Sequence, residues 1–273
     1  MIDFILKNGP VFLLAASRAL ALLLTLPLFS SRTVNFAAKI ALAFSIAFLV
    51  FPQLSLKQGN FSVYSPFISP EGNFDMIFVL LLAGEALIGV IIGFYIQIIF
   101  SAFSTAGQFF AFQMGFSASE VYDSLSQVEN PLLGQYLNLI ALLVFMQNNW
   151  LQRLFLKGLQ TSFHTINAVS IIENSGNLMT FMLKSLTVLF KDALIIALPI
   201  MATLFLVNVA VGILGKAAPQ MNLLNEGFPI LILTSFFIIL SLLPVMIDFF
   251  TESFEQGFVQ IRRLLIKLNS GLE

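Results

Sequence analysis

The sequence predicts an all-α integral membrane protein of about six long hydrophobic helices, kinked and paired as hairpins. Three observations carry this. Hydrophobic residues make up 58% of the 273-residue chain and charged residues only 10%, where a soluble domain carries about 25% charged residues. The mean hydropathy of +0.95 agrees. The few charges also fall so that uncharged stretches of bilayer-spanning length lie between them, about 20 residues being needed for a helix to cross. There are too few polar residues to cover one water-facing globule of this size, so lipid or other protein must cover part of the surface.

The elements follow in order. Residues 9–30 are apolar except for Arg18, and no Ala-x-Ala-like cleavage site follows closely, so this first segment is read as retained. The second segment is 36–55, with no charge over 40–56. Residues 56–74, rich in Ser, Pro, Gly and Asn, read as an irregular connector. The third segment, 75–102, enters the longest uncharged run, 34 residues from 86 to 119. As a single helix that run would be about 50 Å long, more than a hydrocarbon core of about 30 Å. Segment four is 132–151. Residues 152–185 mix Arg153, Lys157, Glu173 and Lys184 with apolar residues, predicting one or two amphipathic helices broken near Asn174-Ser175-Gly176-Asn177. The last two segments are 186–215, with Lys191-Asp192 as a solvated or paired helix end, and 227–250. Pro199, Pro229 and Pro244 interrupt apolar stretches and favour kinks. Six segments put both termini on one side. That side carries Lys7, Lys57, Arg153, Lys157, Lys184, Arg262, Arg263 and Lys267 against Arg32, Lys39 and Lys216, which predicts cytoplasmic termini.

Several function classes are disfavoured. A net charge of −1 offers no basic field for nucleic acid. The absence of cysteine excludes disulfides, thiolate catalysis and Cys-bound metal. His164 is the single histidine and reads as a surface or packing residue, so no His-rich metal site forms. Neither a catalytic triad nor a phosphate-cradling loop is present; no enzyme activity, metal or cofactor is expected.

Five features stand out. Arg18 and Glu85 sit inside apolar segments, where an ionisable residue marks either a functional site or a structural ion pair. Gly84, Gly89 and Gly93 form a close-packing pattern. In the second half of the long run, Ser101, Ser104, Gln108, Ala111 and Gly115 fall near one helical face, with Phe100, Phe103 and Phe110 elsewhere; that face suits protein contact or a wet cavity. The run ends in Phe112-Gln113-Met114-Gly115-Phe116-Ser117, whose soft, bulky side chains suit a seal. Farther on, Gly215-Lys216-Ala217-Ala218-Pro219-Gln220-Met221-Asn222 and Gly227-Phe228-Pro229 suit an ordered hairpin connection, and physical chemistry alone assigns it no function.

These stretches resemble a known family. Gly84-Glu85-Ala86-Leu87-Ile88-Gly89 with Gly93-Phe94, Ala106-Gly107-Gln108, Gln113-Met114-Gly115-Phe116-Ser117, Ala218-Pro219-Gln220-Met221-Asn222 and Gly227-Phe228-Pro229 are similar to FliR, the R-type component of the flagellar type III export gate. Leu26-Pro27-Leu28-Phe29 with Arg32 and Lys39 also fits, and the resemblance runs over about residues 10–250. Two positions depart. Tyr122-Asp123-Ser124-Leu125 stands where the family often has Asp-Pro, and Thr33-Val34-Asn35 where a Pro often follows Arg32.

The resemblance implies a non-enzymatic subunit in a gate with P-type and Q-type partners, typically one R chain with five P and four Q chains. It also implies contact with the B-type switch protein and the A-type export protein. Unfolded flagellar proteins would pass through a pore in the bacterial inner membrane at the flagellar basal body. It further implies a P-like part over 1–185 with a plug-type loop near 106–130, then a Q-like helical hairpin and C-terminal amphipathic helix over 186–273. Gln108, Phe112, Gln113, Met114, Gly115, Phe116 and Ser117 would act in the plug; Gly84, Glu85, Gly89, Gly93, Pro219, Gln220, Met221, Asn222, Gly227, Phe228 and Pro229 would act in helix packing and assembly. In such a gate much of the apolar surface faces partner subunits. A virulence-type secretion homologue is the alternative, and a small-solute transporter, which should show repeats and a midplane polar site, a more distant one.

Overall fold

A computed structural model describes residues 9–30, 34–54, 60–68, 75–114, 132–217 and 223–270, and among these no β-strand occurs. The helices are α1 (Gly9–Thr25), α2 (Pro27–Ser30), α3 (Phe36–Val50), α4 (Met76–Gln113), α5 (Leu132–Gln147), α6 (Trp150–Arg153), α7 (Gln160–Thr165), α8 (Ala168–Glu173), α9 (Ser175–Ala217) and α10 (Leu223–Ser270). All six expected segments are present as helix. Four helical stretches, Phe36–Gln53, Met76–Gln113, Ser175–Ala217 and Pro229–Leu268, are long and apolar enough to cross a membrane; Gly9–Thr25 and Leu132–Gln147 are shorter apolar helices. The chain is an all-α integral membrane protein.

Local chemistry explains where helices start and stop. The Asn35 side chain caps α3 by accepting from the Ala37 N–H at 3.0 Å. Asn167 and Ser170 form a reciprocal capping box at α8. Asn149 takes the left-handed conformation, φ 54°, just before α6, a region Asn tolerates better than most residues. Within the apolar helices, hydroxyls bond back one turn, as Ser185 does to the Phe181 carbonyl and Ser235 to that of Leu231, which lets polar side chains sit in an apolar element.

Three expectations need correction. The third segment does not end at 102. Nothing between Met76 and Gln113 removes a backbone donor, so α4 continues unbroken for 38 residues, about 57 Å at the usual rise. Lys191-Asp192 is not a helix end: the break falls at Asn174, between α8 and α9, and both charged residues lie inside α9. The connector is not wholly irregular. Its residues Asn60–Phe67 form a 3-10 helix, anchored by buried Phe61 and Tyr64. Pro199, Pro229 and Pro244 all lie within continuous helices.

Two compact units emerge from the packing. The first comprises residues 1–97, 148–185 and 256–273. Here Phe12 of α1 meets the rings of Phe44 and Phe51 edge-on. Tyr95 stacks at 5.1 Å on Phe181 and donates to the Gln260 side-chain oxygen at 2.8 Å. The second unit comprises 98–147 and 186–255. Its centre is a group of rings from Phe100, Phe103, Phe145, Phe250 and Phe254, with Phe103 and Phe250 only 3.9 Å apart between centroids. Gly107 and Gly134 pack α4 on α5, because a Cβ on Gly107 would sit 2.5 Å from the Gly134 Cα.

Candidate functional site

The first unit holds a buried polar network. Arg18 and Glu85 are both fully buried and form an ion pair, Nε donating to Oε2 at 2.7 Å. Arg18 Nη1 donates to Ser162 Oγ at 3.0 Å and Nη2 to the Ile166 carbonyl at 3.0 Å. The Tyr64 hydroxyl donates to the other oxygen of Glu85 at 2.5 Å and accepts from the Ala168 N–H at 2.6 Å. Phe163 covers the guanidinium, with its ring centroid 4.4 Å from Cζ. Every guanidinium nitrogen and both carboxylate oxygens therefore have partners. Of the two readings open for Arg18 and Glu85, the geometry fits the structural ion pair, since each of these atoms is held by a partner within the protein. The network ties α1 and α4 to the connector helix and to the α7–α8 junction.

Burial first, then the Glu85 carboxylate, push the Tyr64 phenol above its ordinary pKa. The proton is thus held more tightly in the folded state. The stability this contributes is complete below the unfolded phenol value of about 10 and is lost as pH rises above it. The Tyr64→Phe variant should show a smaller loss of thermal stability between neutral pH and pH of about 11 than the parent. At neutral pH it should already be weaker by about 1–3 kcal/mol, because Glu85 loses a donor and the Ala168 N–H its acceptor. Parallel pH curves would refute the assignment.

The glycines pack within this chain. A Cβ on Gly84 would fall 2.5 Å from that of Ala168. One on Gly89 would run into the backbone of Arg18 and Leu22 in α1, and one on Gly93 into Thr25. Glu85 thus sits on the same stretch of α4 that three small residues press against its neighbours.

The expected plug residues lie at the end of α4. Gln108 is exposed, Phe112 is 72% exposed, Gln113 is half-buried and Met114 is fully buried. Gly115, Phe116 and Ser117 lie outside the described residues, as do Pro219, Gln220, Met221, Asn222 and the Phe228 side chain. Gly227 is buried, 3.4 Å from Val211 Cγ1 as measured from a built Cβ, and Pro229 is exposed. Among the described residues no three His, Cys, Asp or Glu side chains group as a metal site. Tyr64 and Ser162 are the functional-looking residues that sequence reading missed: a lone Tyr in a Ser- and Pro-rich connector and a Ser on an amphipathic helix carry no local signal of a partner 21 or 144 residues away.

Comparison with known proteins now bears on this arrangement. The family described as bacterial export proteins, family 1, matches residues 10–257. The flagellar biosynthetic protein FliR of Bacillus subtilis (strain 168) is 31% identical over 258 residues, 94% of this chain and 95% of that protein. This chain belongs to the FliR family of bacterial export proteins. The FliR of Escherichia coli (strain K12) is likewise 31% identical, over 92% of this chain and 91% of its own length. The surface presentation of antigens protein SpaR of Shigella flexneri is 30% identical over a shorter stretch, 57% of this chain and 59% of its own. The match to bacterial export proteins, family 1, spans Arg18, Glu85 and the end of α4.

Proposed function

We propose that this chain is the R-type subunit of a flagellar type III export gate in the bacterial inner membrane, and that the end of α4 with the segment after it closes the pore. The coarser statement, a multi-pass membrane component of the flagellar export apparatus, follows from family membership and the long apolar helices. The observation that carries the finer reading is the end of α4. A 38-residue helix finishes on Phe112, 72% exposed, in the Phe-Gln-Met stretch that resembles the family's plug. An exposed Phe at such a place has no partner within the described chain that hides it, and soft bulky side chains close a passage without needing a single fixed packing.

The partners of this reading are P-type and Q-type gate subunits, the B-type switch protein, the A-type export protein, and the unfolded flagellar proteins in transit. Its role is mechanical and non-enzymatic. Exposed apolar side chains on α9 and α10, such as Phe190, Leu198, Phe205, Leu233 and Phe237, offer the surface on which such subunits or lipid would pack. The division into a P-like part, 1–185, and a Q-like part, 186–273, belongs to the same proposal; one of the boundaries between the two compact units falls at 185/186.

A virulence-type gate is the second reading, favoured by the SpaR similarity, but that similarity covers little more than half of either chain, whereas the FliR proteins of Bacillus subtilis and Escherichia coli match over more than nine-tenths. The test is electrical. Deleting residues 115–120 should leave α4 intact and raise ion conductance through gates assembled with their P-type and Q-type partners. Unchanged conductance in correctly assembled gates would sink the plug.

A further inference from the structure

The last stretch of α10 is amphipathic. It buries Ile261, Leu264, Leu265 and Leu268 and exposes Val259, Arg262, Arg263, Ile266 and Lys267. The exposed positions fall at i, i+3, i+4, i+7 and i+8, one continuous face about 12 Å long. That face is mixed. Val259 and Ile266 are exposed by 49 and 52%, with three cations beside them. Earlier on the same helix the exposed charges have the other sign: Asp248, Glu252 and Glu255. Charge is therefore segregated along α10, with about 10 Å of helix between Glu255 and Arg262.

Other cations gather at the same end of the first unit. Trp150 of α6 meets Phe258 of α10 at 6.3 Å between ring centroids, and exposed Arg153 and Lys157 follow Trp150 within about two turns. Phe181 of α9 and Gln260 of α10 share Tyr95, and exposed Lys184 follows Phe181 by one turn. Against these cations, the exposed acidic residues of this unit are Asp75 and Glu173 among the described residues. No carboxylate there pairs with Arg153, Lys157, Lys184, Arg262 or Arg263. Apolar surface adjoins them. Leu87, Val90 and Phe94 are exposed on α4 just before Tyr95, and Met179 and Leu183 are exposed on α9 to either side of Phe181. A basic face bordering an apolar one is the chemistry of the layer where lipid headgroups meet acyl chains.

We propose that the outward face of α10 from Val259 to Lys267 binds the headgroup phosphates of anionic phospholipids, with Arg153, Lys157 and Lys184 extending the same basic surface. The inference needs only that the chain is a membrane protein and does not depend on the gate reading. A guanidinium presents a planar fork of donors that matches two phosphate oxygens at once. The long stems of Arg and Lys lie along apolar surface while their heads reach the polar layer. Val259 and Ile266 then meet the first carbons of the acyl chains. Each cation close to an anionic leaflet is worth about fivefold in lipid preference. An acidic protein segment answers the charge alone. A phospholipid answers both the charge and the apolar border in one molecule.

The chain's single tryptophan, Trp150, is packed on Phe258 at this end of the unit, so it serves as a built-in donor for energy transfer. The full chain would be reconstituted in phosphatidylcholine vesicles holding a trace of dansyl-labelled lipid. The label would sit on phosphatidylglycerol in one set and on phosphatidylcholine in the other. Transfer from Trp150 to the anionic label should exceed transfer to the zwitterionic one severalfold. The triple variant Arg262→Gln, Arg263→Gln and Lys267→Gln should lose most of that excess, whereas Lys216→Gln, at the far end of α9, should keep it. Raising salt from about 0.1 to about 1 M, which shortens the screening length from about 10 to about 3 Å, should reduce it. An unshifted Trp150 emission maximum shows that the triple variant is still packed. If it shifts, the charge-keeping double variant Arg262→Lys with Arg263→Lys, which should retain the excess, carries the test together with the salt series. Equal transfer to the two labels, or an excess that the triple variant and salt leave untouched, would overturn the proposal. No lipid excess, with a poly-glutamate peptide binding the parent but not the triple variant, would overturn it in favour of an acidic protein partner.

Discussion

Replacing Arg18 with methionine is expected to destabilise the protein by about 3–5 kcal/mol, the cost of stranding one member of a buried ion pair. The size follows from the site. Glu85 is fully buried, and without Arg18 its carboxylate would keep only the Tyr64 hydroxyl. Ser162 and the Ile166 carbonyl would also lose their donor. The double variant Arg18→Met with Glu85→Met should recover most of the loss, because apolar residues of similar volume remove the need for the charge altogether. The measurement is thermal unfolding of the detergent-solubilised complex, with cellular accumulation as a second readout. A single variant no weaker than the double would remove the ion pair as the cause. A fully stable double variant that nevertheless fails to export would show a role beyond structure.

That network also shows where sequence reading stops. The six apolar segments were legible because lipid-facing helices need long uncharged stretches, and composition alone reports those. The helix ends were less so. Lys191-Asp192 looked like a boundary because charge interrupts hydropathy, yet charge does not interrupt backbone hydrogen bonding, and α9 runs straight past it. Arg18 and Glu85 were each conspicuous as charges in apolar segments, but their pairing was not, since 67 residues separate them. The third partner was invisible. Tyr64 lies in a connector whose Ser, Pro, Gly and Asn content reads as irregular, and only the folded chain places its hydroxyl between Glu85 and the Ala168 N–H. For the candidate plug, the residue types and the family resemblance were readable, whereas which of its side chains are covered required the fold: Phe112 is 72% exposed and Met114 fully buried. Spacing placed Ala111 with Ser104 and Gln108, and packing placed it with the phenylalanines.

Gly89→Ala should cost about 1–3 kcal/mol or more, the usual range for an extra group forced into a packed core. In an exposed helix interior the same substitution is normally favourable by about 1 kcal/mol, so here close packing must reverse the sign. The added methyl would meet the Arg18 carbonyl and the Leu22 nitrogen, both backbone atoms of α1, so no rotamer change can make room. Gly93→Ala meets chiefly the Thr25 side chain, with the Leu22 carbonyl at 3.0 Å, and should cost less. Gly212→Ala provides the control: nothing lies within 4 Å of its built Cβ, and it should be neutral or mildly stabilising for the chain itself. Moving α1 at Arg18 also pulls the guanidinium off Glu85. Gly89→Ala combined with Glu85→Gln should therefore lose less stability than the two single losses added together, whereas Gly212→Ala with Glu85→Gln should be additive. Strict additivity for the Gly89 pair would separate the close approach of α1 and α4 from the ion pair. Subadditivity would mean that the glycines of α4 act first within this chain, by setting the depth at which Arg18 reaches Glu85, and that lost assembly with partner subunits follows from that.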